Sequence, residues 1–166
     1  MSNASRFKVF FDKYYLPLSM FALRITGDTD LAHDAAQEAL SNLWGRIKDN
    51  AEIANWKAYT YQICRNKAIK LSSNRLEDLE NISDIPEEEI ETSERDASLW
   101  KAIEELPEKT RRVFLMSKRD GMKYKEIAEE LDISIKSVEN QISNALSRLR
   151  KDLKESSGTV FFLPFL

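Results

Sequence analysis

Between Ser134 and Asn144 the chain reads Ser-Ile-Lys-Ser-Val-Glu-Asn-Gln-Ile-Ser-Asn, and Arg148, Arg150, Lys151 and Lys154 follow. At helical spacing, Lys136, Ser137, Glu139, Asn140, Ser143 and Asn144 stand along the start and middle of this segment. Those side chains suit the edges of base pairs. An amide can bond adenine through both its groups, a carboxylate can accept from cytosine, and cationic groups hold phosphates. A helix lying in the major groove reads with its N-terminal half, where the amides stand here. The plain alternative is a helical hairpin with a solvated polar face.

The flanking residues favour DNA. Tyr124-Lys-Glu-Ile-Ala-Glu-Glu-Leu131 precedes the segment, with Ala128 small enough for two helices to cross closely. Ile127, Leu131, Ile133, Val138 and Ile142 fill the wedge between them. Asp132 tolerates the left-handed backbone of a tight turn, and Ser134 is a good N-cap. Together these predict a helix-turn-helix.

A second chemical signal lies in the first half. From Ile53 to Leu76 the chain carries Lys57, Arg65, Lys67, Lys70 and Arg75 and no acid, which calls for an anionic partner. Tyr59, Tyr61 and Asn66 offer aromatic and amide groups within it, although either tyrosine could equally belong to a core. Asp34, Gln37, Glu38 and Ser41 form a polar, acid-bearing stripe opposite Leu31, Ala35, Ala39, Leu43, Trp44 and Ile47, a pattern suited to a basic partner.

The elements that position these residues are helical throughout. Apolar spacing predicts helical structure from Phe7 to Ile25 with a break or fresh start at Pro17, then Gly27 as a stop. Asp28, Thr29 or Asp30 can cap a helix over about 30 to 48. Residues 49–55 read as a loop, and a helix over about 55 to 73 has Tyr59, Ile63, Ala68 and Leu71 among its inward candidates. Leu99, Ile103 and Leu106 predict a short helix ended by Pro107, and Val113, Phe114 and Met116 lie in the next, which stops at Asp120-Gly121.

Composition narrows the function. Gly and Pro number only four each among 166 residues, which argues against a turn-rich β sandwich. One cysteine, Cys64, and one histidine, His33, are too few for an internal disulfide or a His/Cys metal site. No cofactor or metal is expected. There is no Gly-rich phosphate loop, and Asp34 with Glu38 is a thin basis for a metal-dependent enzyme. No apolar run is long enough to cross a bilayer and no signal-peptide core is seen, so a cytoplasmic location without direct membrane insertion is expected. The net charge of −3 conceals a division: residues 1–74 carry +3, residues 75–96 carry −8 and residues 97–166 carry +2. The expected organisation is all-α, with small helical domains at 5–74 and 97–155, an acidic linker at 75–96 and an apolar tail at 156–166.

Across Phe7 to Glu155 the chain resembles the extracytoplasmic-function sigma factors of bacterial RNA polymerase. Leu23-Arg-Ile-Thr-Gly-Asp-Thr-Asp-Leu-Ala-His-Asp-Ala-Ala-Gln-Glu38 is similar to the family's second conserved region. Ala58-Tyr-Thr-Tyr-Gln-Ile-Cys-Arg-Asn66 with Ala68-Ile69 resembles its promoter-melting helix. Leu99-Trp-Lys-Ala-Ile-Glu-Glu-Leu-Pro107, Arg111 and Val113-Phe114 open the fourth region, which the helix-turn-helix completes.

The resemblance implies a non-enzymatic promoter-specificity subunit. Asp34, Gln37 and Glu38 fall where the family docks the clamp coiled coil of core RNA polymerase. Tyr59, Arg65, Asn66 and Lys67, with the 49–55 loop, match the part that opens and reads promoter DNA near −10. Lys136, Ser137, Glu139, Asn140, Ser143, Asn144 and Arg148 match the part that binds near −35, with Arg111 and Arg112 as phosphate candidates. It also implies an anti-sigma factor as partner, and a connector role for the acidic linker. The chain departs from the family at Glu139, Gln141 and Asn144, where basic residues are common, and at Lys70, where Asp is common. Ser72, Ser73 and Asn74 replace a usual basic pair, and the tail lies outside the pattern. The runner-up is a self-sufficient helix-turn-helix regulator that binds duplex operator as a dimer.

Overall fold

The computed structural model describes residues 1–72 and 85–157, with side chains to Leu153. The 75–84 part of the expected linker and residues 158–166 of the apolar tail lie outside the described residues. Those described form helices α1 Asn3–Thr26, α2 Thr29–Lys48, α3 Trp56–Ser72, α4 Glu87–Glu104, α5 Glu108–Lys118, α6 Tyr124–Leu131 and α7 Ile135–Ser157, and no strand. The chain divides into two compact units, Met1–Ala97 and Ser98–Leu166.

In the first unit α1 runs unbroken through Pro17, contrary to the expected break. Proline has no N–H to donate to the preceding turn, which ordinarily disrupts a helix interior. Here Pro17 is buried beside fully buried Leu18, so packing holds the helix together across the missing bond. Gly27 ends α1 at φ 65°, its N–H donating to the Leu23 carbonyl. Asp28 then caps α2, accepting from the Leu31 N–H at 3.0 Å.

Ala32, Ala35, Ala36 and Ala39 lie buried along α2, and their small side chains let α1 and α3 approach its backbone closely. Larger groups fill the remaining space: Leu18, Leu40 and Tyr61 are almost wholly enclosed, and Phe21 meets the Tyr61 ring edge-on at 5.1 Å. Burying each aliphatic side chain of this kind stabilises the fold by roughly 1.5–3 kcal/mol. The inward set of α3 is Thr60, Tyr61, Cys64 and Ala68. Of the four inward candidates, Ala68 is buried, Ile63 and Leu71 are partly buried against the same core, and Tyr59 lies on the opposite side of the helix.

Residues 87–96 belong to this unit as the first part of α4, not to a free linker. Ile90 is buried in the core, and the Tyr61 hydroxyl bonds the Ser93 hydroxyl at 2.7 Å. The helix predicted around Leu99, Ile103 and Leu106 therefore starts a dozen residues earlier than its apolar pattern suggests.

The second unit has two neighbouring cores. Ala102, Ile103, Leu106, Phe114, Ala145 and Leu149 form one; Val113, Ile127, Ala128, Val138 and Ile142 form the other. The second is the predicted wedge between α6 and α7. Asp132 links these helices at φ 52°, ψ 50°, its N–H directed at the Ala128 and Glu129 carbonyls, and Ile133 donates to the Ala128 carbonyl at 3.0 Å. Ser134 caps α7, its hydroxyl accepting from the Ser137 N–H at 3.0 Å.

Because Asp132 sits in the left-handed region, Asp132→Val should lower stability by about 1–2 kcal/mol while Asp132→Gly should cost little. Chemical denaturation of both variants tests this; a valine variant as stable as the parent would contradict the turn.

Candidate nucleic-acid interface

On α7, Lys136, Glu139, Asn140, Ser143, Asn144 and Arg148 are exposed, on the side away from Val138, Ile142, Ala145 and Leu149. Asn140 and Asn144 are one turn apart, so their amides can address neighbouring positions along a groove. Lys136 and Glu139 pair at 3.4 Å in solvent, a contact weak enough to exchange for a phosphate or a base. Ser137 is different. It is half-buried and its hydroxyl accepts from Ser134 Oγ at 2.9 Å, within the cap.

Two residues singled out in the sequence take internal work. The Gln141 carbonyl oxygen accepts from the Thr110 hydroxyl at 2.7 Å, tying α7 to α5. Arg111 donates from Nη1 to the Glu104 carbonyl at 2.8 Å, closing the end of α4, whereas Arg112 is exposed. Neither arrangement leaves a local sequence signature, since each joins residues on different helices.

On α3, Tyr59, Gln62 and Asn66 lie on one side at i, i+3 and i+7, opposite Tyr61, Cys64 and Ala68, with Lys70 exposed beyond them. Asn66 accepts from the Gln62 amide at 3.5 Å, which makes Gln62 a member of this face that sequence reading missed. Arg65 and Lys67, two positions apart, fall on opposite flanks of it. Tyr61 is core, as one of its two readings allowed.

Before α3, Asn55 caps the helix by accepting from the Ala58 N–H at 3.0 Å, and Asn50 adopts φ 54° in the preceding loop. A cavity of about 510 Å³ opens there among Arg6, Asn50, Glu52, Ile53 and Trp56. The Arg6 guanidinium lies over the Trp56 ring, 4.9 Å from its centre. Cation and aromatic together form a wall on which a planar ring can stack.

Asp34, Gln37 and Glu38 are all exposed on α2. Alongside them runs an aromatic file that the residue spacing had concealed. Trp44 packs on Phe7 at 4.9 Å, Phe7 on Phe11 at 6.2 Å, Phe11 on Tyr15 at 5.4 Å and Tyr15 on His33 at 5.8 Å. Its polar end is tied by the Tyr15 hydroxyl to His33 Nδ1 at 3.1 Å. Among the described residues no cluster of His, Cys, Asp and Glu could hold a metal ion, and no helix is long and apolar enough to cross a membrane.

Lys57 faces the other way from Asn66. Its ammonium reaches Glu94 at 3.0 Å and Glu87 at 3.8 Å on α4. Burial works to lower its pKa, but the Glu94 hydrogen bond and the two carboxylate charges leave it above the ordinary lysine value. Burial raises the Tyr61 phenol above the usual tyrosine range and pushes the Cys64 thiol up to about 12. Cys64 Sγ is enclosed, 3.5 Å from the Leu18 carbonyl.

The two halves of the chain match two family descriptions in order: Sigma-70 region 2 over residues 10–75, and Sigma-70, region 4 over residues 96–149. The chain belongs to the sigma-70 family of RNA polymerase sigma factors. It is 24% identical over 148 residues to the RNA polymerase sigma factor SigZ of Bacillus subtilis, covering 86% of this chain and 84% of that one. It is 27% identical over 169 residues to the ECF RNA polymerase sigma factor SigL of Mycobacterium tuberculosis, covering 95% and 94%. The structure of CnrH in complex with the cytosolic domain of CnrY aligns with a TM-score of 0.38 at 20% identity, over 94% of this chain and 92% of that one. Within its family the chain is a sigma factor of the extracytoplasmic-function class.

The buried thiol generates a pH prediction. A folded pKa of about 12 against an ordinary value of 9.0 means that the native state holds the proton more tightly than the unfolded chain does. Its contribution is complete below pH 9 and is lost as pH climbs towards 12. Thermal melts should therefore fall over that range, and Cys64→Ala should reduce the fall. At pH 7 the native thiol should resist alkylation; rapid labelling without unfolding would contradict its enclosure.

Proposed function

We propose that the two units divide promoter recognition between them while core RNA polymerase supplies the chemistry. The second unit binds the −35 region as duplex, laying the N-terminal half of α7 in the major groove. Asn140 and Asn144 read base edges, with Glu139 and Ser143 beside them, while Lys136 and Arg148 hold phosphates. Ser137 acts through the cap, setting where α7 begins.

The first unit takes the −10 region as it opens. Tyr59, Gln62 and Asn66 offer a stacking surface and hydrogen-bonding groups to exposed bases, with Arg65 and Lys67 placed for backbone phosphates on the two flanks. The Arg6–Trp56 cavity beside the 49–55 loop has the cation and ring needed to receive a base drawn out of the stack. Asp34, Gln37 and Glu38 bind a basic surface of polymerase. An anti-sigma factor restrains the chain by covering this polymerase-binding face, and the whole cycle takes place in the cytoplasm.

The observation that carries this reading is the pairing, in one chain and in sigma-factor order, of an exposed amide-bearing helix-turn-helix with a separate unit whose α3 has no acid. A stand-alone operator-binding regulator would need only the former.

Transcription in vitro with core polymerase on fragmented genomic DNA, followed by mapping of start sites, tests it directly. The free chain should bind the mapped fragment weakly and the holoenzyme should bind it tightly. Tight specific gel shifts without polymerase would favour the dimeric regulator. Asn66→Ala should slow open-complex formation about tenfold or more. Asn140→Ala should cost about 1–3 kcal/mol of discrimination at one −35 position. Asp34→Lys with Glu38→Lys should weaken association with core enzyme.

A further inference from the structure

Among the described residues of the second unit, Tyr124 and Ile135 are the large apolar side chains left exposed. Packing gives no reason for Ile135. It is 46% exposed and belongs to neither core, whereas Ile133, two positions earlier, packs against the wedge between α6 and α7. The cap of α7 is supplied by Ser134, whose hydroxyl accepts from the Ser137 N–H. A β-branched residue also lowers helix propensity slightly, so local preference does not account for it either.

Ile135 is the first residue of α7. Helical side chains lean towards the N-terminus, so this one projects ahead of the reading helix. Its exposed neighbours along α7 and in the cap are polar: Ser134, Lys136, Glu139 and Asn140. Glu139 stands one turn further along the same row. A protein partner would call for a contiguous apolar patch, which these neighbours interrupt. A lone apolar group amid amides and charges instead fits a surface where single apolar groups stand among donors and acceptors.

The floor of the major groove is such a surface. Thymine presents a methyl group there, whereas adenine, guanine and cytosine present hydrogen-bonding groups alone. An isoleucine set against those polar edges removes their water and returns no hydrogen bond, at a cost of about tenfold in affinity. The same side chain therefore favours one base and rejects the other three.

We infer that Ile135 is a specificity-determining residue that reads the 5-methyl group of one thymine in the −35 element. The inference rests on the −35 reading of α7 and adds to it the base and the atom that its leading residue recognises. Contact and exclusion of water carry this recognition, without charge or hydrogen bond.

The experiment uses holoenzyme formed from the full chain and core polymerase on the mapped promoter fragment. Each thymine of the −35 element, on either strand, is replaced singly by deoxyuridine, which lacks only the methyl group. At one position the replacement should weaken binding by the parent about fourfold, the worth of one buried methyl. With Ile135→Ala that penalty should vanish while penalties at other positions stay, and Ile135→Val should keep most of it. Alanine is the better helix former, so the alanine variant should melt no lower than the parent. Its titration with core polymerase in the absence of DNA should give the parent affinity.

An Ile135→Ala holoenzyme that keeps the parent's penalty overturns the inference, as does a −35 element with no thymine whose methyl group counts. Weakened association of the variant with core polymerase also overturns it, by placing Ile135 against protein. If Asn140→Ala still alters −35 discrimination after such a failure, the −35 reading of α7 stands and Ile135 alone is misassigned. If neither variant alters it, both fall.

Discussion

A phenol taken out of water has to keep a hydrogen-bond partner, and the enclosed hydroxyl of Tyr61 finds one in Ser93, 32 positions away. Much of the first unit follows from that requirement. Tyr61 can be buried only with α3 rotated so that Cys64 and Ala68 also point inward, and this rotation turns Tyr59, Gln62 and Asn66 outward. The face of α3 that carries Tyr59, Gln62 and Asn66 is therefore the complement of its buried face. Ser93 in turn commits α4 to begin well before its apolar positions at Leu99 and Ile103, because the partner must be carried on an ordered element.

The second unit solves a related problem with backbone geometry. Its reading helix must be presented at a defined angle, and that angle is set by the left-handed residue Asp132 and the cap at Ser134. Thr110 and Gln141 add a cross-brace between α5 and α7, while Arg111 closes α4. Polar residues near a DNA-binding surface are thus of two kinds. Those with internal partners, Gln141 and Arg111, brace the helices, and Asn140, Ser143 and Asn144 face solvent.

Charge is arranged by the same logic. The acidic segment looks like a spacer when charge is summed along the chain, yet its described part neutralises cations of the same unit: Glu94 and Glu87 at Lys57, and Asp96 at Arg24. Exposed pairs of this kind contribute little individually, with a typical worth near 0–1 kcal/mol. They nonetheless decide which cations face outward. Lys57 is engaged on the buried side of α3, whereas Lys70 remains on the exposed side.

The sequence by itself determined the helical class, the helix-turn-helix, the turn at Asp132, the cap at Ser134, a cap for α2 within Asp28 to Asp30 and the outward stripe at Asp34, Gln37 and Glu38. Each of these is a local rule, a period or a cap legible within a few residues. The unbroken course of α1 through Pro17, the core role of Tyr61, the bracing roles of Gln141 and Arg111, and the docking of 87–96 were decided only by tertiary structure. For Tyr61, Gln141, Arg111 and residues 87–96 the deciding partner lies on another helix, while burial carries Pro17 and Ile90 with Ser93 fixes a largely exposed, acid-rich segment to the core. Spacing along a chain shows which side chains can share a face, but not which distant group will meet them there.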